Sequence, residues 1–156
     1  MEAAGGGHVE IVKLLLDRGA NIESANERGR TALIVAAEKG KDRVVEILLS
    51  RGAIVNNVDI DGSTALMAAV KHTYYEAHTV KILLINGANI SIRNNDGKIA
   101  YDLISEGCIA KKYLKYALGR RFCCVRFHHL GEMERRQRQR WCCGTTGENY
   151  DDFNRI

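Results

Sequence analysis

The side chains best suited to chemistry crowd toward the end of the chain. Cys123, Cys124, His128, His129, Cys142 and Cys143 all lie within "RRFCCVRFHHLGEMERRQRQRWCC", and thiolates with imidazoles are the ligand set that zinc prefers. These cysteines come as adjacent pairs rather than at C-x-x-C spacing, and neighbouring side chains rarely converge on one tetrahedral ion. No metal site is therefore assigned. Beside Arg120 and Arg121, the pair Cys123-Cys124 also fits a palmitoylated anchor with basic support. The run "RRQRQRW" could touch nucleic acid, phospholipid or an import receptor through charge alone, or be a solvated face.

Elsewhere the reactive groups do not converge. His8 closes "GGGH", which reads as a turn between helices rather than a phosphate-cradling loop. His72 and His78 flank the pair Tyr74-Tyr75. Asp59 and Asp61 look like paired carboxylates, yet their turn recurs in uncharged form. A nucleophile, a base and a polar stabiliser meeting in one pocket are not in evidence. We expect no catalytic residue, no cofactor and no small-molecule substrate.

The elements that would position any site announce themselves by repetition. "VKLLLDRGAN" at 12–21 returns as "VEILLSRGAI" at 45–54 and "VKILLINGAN" at 80–89. A period of this length marks a copied supersecondary unit that needs its neighbours to bury an apolar face. Each phrase is a short amphipathic helix, with Val44, Val45, Ile47, Leu48 and Leu49 on one broad face. Gly19, Gly52 and Gly87 stop these helices in the left-handed conformation. Upstream, "NERG" at 26–29, "DIDG" at 59–62 and "NNDG" at 94–97 fit type I turns. Thr31 and Thr64 then cap a second, alanine-rich helix that can lie close to its partner.

Turn, helix, loop, helix and glycine stop, in that order and in register, resemble the ankyrin repeat. Residues 26–53 and 59–88 match the family pattern at most defining positions. "EAAGGGHVEIVKLLLDRGAN" at 2–21 resembles the back half of a repeat, and "NNDGKIAYDLI" at 94–104 the front half of a closing one. Departures are specific. The family's proline is Ala32 and Ala65, its histidine is Ile34 and Met67, and Ile99 replaces the last capping threonine. The resemblance implies an all-α solenoid of stacked helix-turn-helix repeats with β-turn or hairpin tips. We divide it into a partial repeat 1–25, full repeats 26–58 and 59–93, and a degenerate capping repeat 94–118. The chain opens inside a repeat, so its first helix is expected to be missing: either the array is longer or one stack face is unprotected.

The family also implies a non-catalytic scaffold that binds a protein partner through turn tips and the concave inner-helix face. Matching positions are Glu27, Arg28 and Arg30 in one tip, Ile60, Asp61 and Ser63 in the next, and Glu38 and Lys39 at an inner-helix end. The third unit is two residues longer at the joint between its helices, where Tyr74 and Tyr75 fall. Adjacent aromatics there suit an interface anchor or the loop's own packing equally.

Composition breaks near Gly119. Residues 119–156 carry eight arginines, no lysine and four of the five cysteines, whereas the repeats hold all nine lysines. Such a break fits a frame change or alternative exon, leaving a polar tail that is disordered or partly helical. The competing reading makes the tail a targeting or anchoring device that contacts membrane or nucleic acid. No run approaches the roughly 20 apolar residues of a membrane helix. Free thiols and the want of a signal-like leader point to the cytoplasm or nucleus.

Overall fold

Each copied phrase becomes one helix of an antiparallel pair. The structure is a computed structural model that describes residues 1–72, 77–104 and 109–119. Met1–Gly119 form one compact unit. The readings that concern Tyr74, Tyr75 and the cysteines, histidines and basic run of the tail lie outside the described residues. Helices run α1 (Glu2–Gly6), α2 (Val9–Asp17), α3 (Ala32–Glu38), α4 (Asp42–Ser50), α5 (Ala65–His72), α6 (His78–Ile85) and α7 (Ile109–Gly119), with a 3-10 turn at Ala100–Leu103. No strand occurs among the described residues. Isolated antiparallel bridges, Ala25 to Thr31 and Val58 to Thr64, close the base of two tips.

Two rows of helices build the stack. Inner helices α1, α3 and α5 pack side by side, and the 3-10 turn continues their row; outer helices α2, α4 and α6 form the second row. Every outer helix ends the same way. The N–H three residues past the helix returns to a carbonyl in its last turn: Ala20 to Leu15 at 2.9 Å, Ala53 to Leu48 at 2.9 Å and Ala88 to Leu83 at 3.0 Å. Glycine between them holds a positive φ of 81°, 89° and 85° in turn, which satisfies carbonyls that a helix end otherwise leaves open.

Thr31 Oγ1 accepts the Ile34 N–H at 3.4 Å and Thr64 Oγ1 accepts the Met67 N–H at 3.2 Å, starting α3 and α5. Ala36, Ala37 and Ala69 are fully buried, so adjacent inner helices approach closely. Ile34 and Met67, standing where the family pattern has histidine, are each 1% exposed. Apolar packing has replaced polar bridging there. Leu48 and Leu83 complete the seam between layers, each contributing about 1.5–3 kcal/mol of burial.

Both ends depart from expectation. The first inner helix is shortened rather than missing: α1 has five residues, packs on α3 and buries Ala4. At the other end the inner helix shrinks to a single 3-10 turn. The Asp102 carboxylate accepts the Ile99 N–H at 3.0 Å, binding the start of the turn without the threonine. Around it Ala100, Ala110 and Leu114 are fully buried and continue the core of the preceding units into the closing one.

Candidate partner-binding surface

The tips owe their shape to the first residue of each turn. Asn26 Oδ1 accepts the N–H groups of Arg28 and Arg30, both at 3.0 Å. Asp59 Oδ1 takes those of Asp61 at 3.0 Å and Ser63 at 2.8 Å, and Asn94 Oδ1 those of Asp96 at 3.1 Å and Lys98 at 2.8 Å. Only a short side chain with an acceptor oxygen reaches both donors. The fourth residue answers by backbone, donating to the first at 2.8 Å, 2.9 Å and 2.8 Å.

Neighbouring tips are tied directly to each other. Ile60 N–H donates to the Arg28 carbonyl at 3.1 Å and Asn95 N–H to the Asp61 carbonyl at 3.0 Å. Asn95 Nδ2 also reaches the Ile60 carbonyl at 2.9 Å. This proximity explains why two turns need glycine twice over. A Cβ on Gly29 would stand 3.0 Å from the Ile60 nitrogen, and one on Gly62 2.8 Å from Asn95 Oδ1; both residues also have positive φ, 70° and 71°.

A second set of rungs crosses between units on the return loops. Glu23 accepts the Ile54 N–H at 2.8 Å and the side-chain amide of Asn57. Asn56 Oδ1, at the matching position of the next unit, accepts the Asn89 N–H at 2.8 Å. The sequence holds the signal for these rungs, a polar residue three places after each Gly-Ala, but its partner lies one whole repeat away. Asp42 joins the helix joints in the same fashion, accepting from Thr79 Oγ1 and lying 3.8 Å from His78 Nδ1.

The named surface residues separate into three groups. Glu27, Arg28, Lys39, Ile60 and Asp61 are exposed, and Ile60 is 63% so. Arg30 and Glu38 are half-buried and engaged with each other at 2.7 Å, while Arg30 Nε also lies 3.6 Å from Asp59 Oδ2 in the next tip. Arg30 thus links its own unit to the next, and Glu38 braces it from within the same unit. Ser63 is a correction: at 5% exposure it is buried, and its N–H serves the Asp59 turn. Asp59 and Asp61 differ in surroundings: Asp59 is buried among backbone donors and Arg30, whereas Asp61 is exposed.

A groove of ≈ 810 Å³ opens between α1, the first tip and the end of α3, lined by Glu2, His8, Arg28, Glu38 and Lys39 among others. His8 is exposed and its ring stands over Gly6, where a Cβ would come within 2.7 Å. Among the described residues, no group of three or more His, Cys, Asp or Glu side chains is placed to hold a metal ion. No helix among them is long and apolar enough to cross a membrane.

Paired helices stacked in two rows, with hydrogen-bonded tips between successive units, define a helical repeat solenoid. The family model for ankyrin repeats matches residues 1–108 in three copies. The chain belongs to the ankyrin-repeat family, whose repeats are generally protein–protein interaction modules and typically non-catalytic. No curated protein matches it.

Proposed function

We propose that the chain is a non-catalytic scaffold that binds a protein partner along its row of tips, with Glu27, Arg28, Ile60 and Asp61 as contacts and Lys39 at the margin. The observation that carries this reading is the pair of backbone bonds from Ile60 to Arg28 and from Asn95 to Asp61. They fuse separate turns into one stiff edge, and a preorganised edge loses little entropy on binding. The side chains between the fixed positions vary in charge and size, which allows specificity without altering the support. Arg30 and Glu38 belong to the support, and Tyr74 and Tyr75 extend the same proposal to the inserted loop.

The test is a displayed library of peptides selected against the full chain. Arg28→Glu, Ile60→Asp and Asp61→Lys combined should abolish capture of the selected clones and leave the melting temperature within a few degrees. Clones that survive the triple change but are lost with Tyr74→Ala and Tyr75→Ala would move the interface to the inserted loop.

A further inference from the structure

The sequence contains one Asn-Gly pair, Asn86-Gly87, at the end of α6. Glycine is fixed there by its φ of 85°, the left-handed stop that every outer helix shares. In the other two units the residue before that glycine is arginine, Arg18 and Arg51. Asn-Gly is chemically special, because glycine carries no side chain to shield its backbone nitrogen from the asparagine amide. The fold nevertheless keeps the two reacting groups apart. Asn86 has a ψ of 17°, which turns the Gly87 nitrogen away from the side chain. That nitrogen donates to the Leu84 carbonyl at 3.2 Å, and Asn86 Nδ2 donates to the Ile82 carbonyl at 2.8 Å. Asn56 of the preceding unit holds the residues that follow. Its Nδ2 donates to the Gly87 carbonyl at 3.4 Å, and its Oδ1 accepts the Asn89 N–H at 2.8 Å. Water has access throughout: Asn86 and Gly87 are exposed, and a Cβ on Gly87 would meet nothing within 4 Å.

We propose that Asn86 is a site of deamidation latched by Asn56, converting only when the end of α6 lets go of the unit before it. In the open state the Gly87 nitrogen gives its proton to a solvent base and bonds Asn86 Cγ. The side-chain amide nitrogen takes up a proton and leaves as ammonia. Water then opens the cyclic imide at either carbonyl, giving aspartate or isoaspartate. The product cannot restore the closed state. A carboxylate at position 86 has no proton to offer the Ile82 carbonyl, and it puts negative charge at the negative end of the α6 dipole. Isoaspartate also adds a methylene to the backbone ahead of Gly87, displacing the carbonyl that Asn56 holds. Conversion is therefore a one-way loosening of the third unit from the second.

Peptide mapping by mass spectrometry, on the full chain held at mildly alkaline pH, tests this. The mass gain from exchanging NH2 for OH reports Asn86 and ignores isomerisation at Asp61-Gly62 and Asp96-Gly97. The native chain should convert at least about tenfold more slowly than the same chain in denaturant, since it reacts only while the helix end is open. Asn56→Ala should raise the native rate severalfold. Asn56→Asp, which keeps an acceptor for the Asn89 N–H and loses the donor to Gly87, should fall between. Glu23→Ala removes the equivalent rung one unit earlier and should leave the rate unchanged. Asn86→Asp should lower the melting temperature by a few degrees. Equal rates in native and denatured chains overturn the proposal, and so do Asn56 variants that convert no faster than Glu23→Ala.

Discussion

Gly62 and Gly87 share a positive φ, 71° and 85°, but little else. Nothing lies within 4 Å of a Cβ built on Gly87, whereas at Gly62 it would meet the Asn95 side chain at 2.8 Å and the Asn95 nitrogen at 3.1 Å. Gly87→Ala should cost about 1 kcal/mol, the ordinary cost of a left-handed alanine. Gly62→Ala should cost at least about 1 kcal/mol more, because the Asn95 bonds to Asp61 and Ile60 must shift. Denaturant midpoints of the two variants measure the difference. A comparable contrast separates two arginines. Arg30→Met should lose about 1–3 kcal/mol by removing the guanidinium that pairs with half-buried Glu38 and buried Asp59, while Arg28→Met should leave stability nearly unchanged. The turns themselves were legible because Asn or Asp at the first place and Gly at the fourth recur three times. The burial of Ser63 and the engagement of Arg30 were not, since Arg30 draws on Glu38 eight residues on and Asp59 from the following unit.

At the level of helices, burial decides what the same residue is worth. Leu15, Leu48 and Leu83 occupy one register position at 46%, 1% and 0% exposure. Leu48→Ala and Leu83→Ala should each cost about 2–5 kcal/mol, whereas Leu15→Ala should cost about 1 kcal/mol or less. Thermal or chemical unfolding of the three variants orders them, and equal losses would show that α2 is covered in the free chain. Helices α3 to α6 were readable from sequence because local signals mark each pair: threonine caps start α3 and α5, and apolar periodicity with glycine stops defines α4 and α6. The terminal elements were not. "EAAGG" offers no apolar period, and its short helix forms because α3 gives it a surface to lie on. At Ile99 the pattern loses its cap, and the bond that replaces it comes from Asp102, a residue that reads as an interruption until the turn is folded.

For the molecule as a whole, the prediction is that Met1–Gly119 stands alone. Truncation after Gly119 should leave the melting temperature within a few degrees, and limited proteolysis of the full chain should yield a resistant core ending between about 105 and 120. Stable fragments that reach Trp141 would instead make the tail part of the fold. Another consequence follows from the rungs between units, Arg51 to Asp17, Ile54 to Glu23, Asn89 to Asn56 and Asn95 to Ile60, which span 31 to 35 residues. Each joins a unit only to the next, and none skips one. Pulled by its two termini, the array would therefore shed units one at a time from an end, each rupture releasing roughly 110–120 Å of slack chain for a 33-residue repeat. On relaxation the remaining stack would serve as the template on which the lost unit re-forms, so the molecule would behave as a spring whose extension advances in steps.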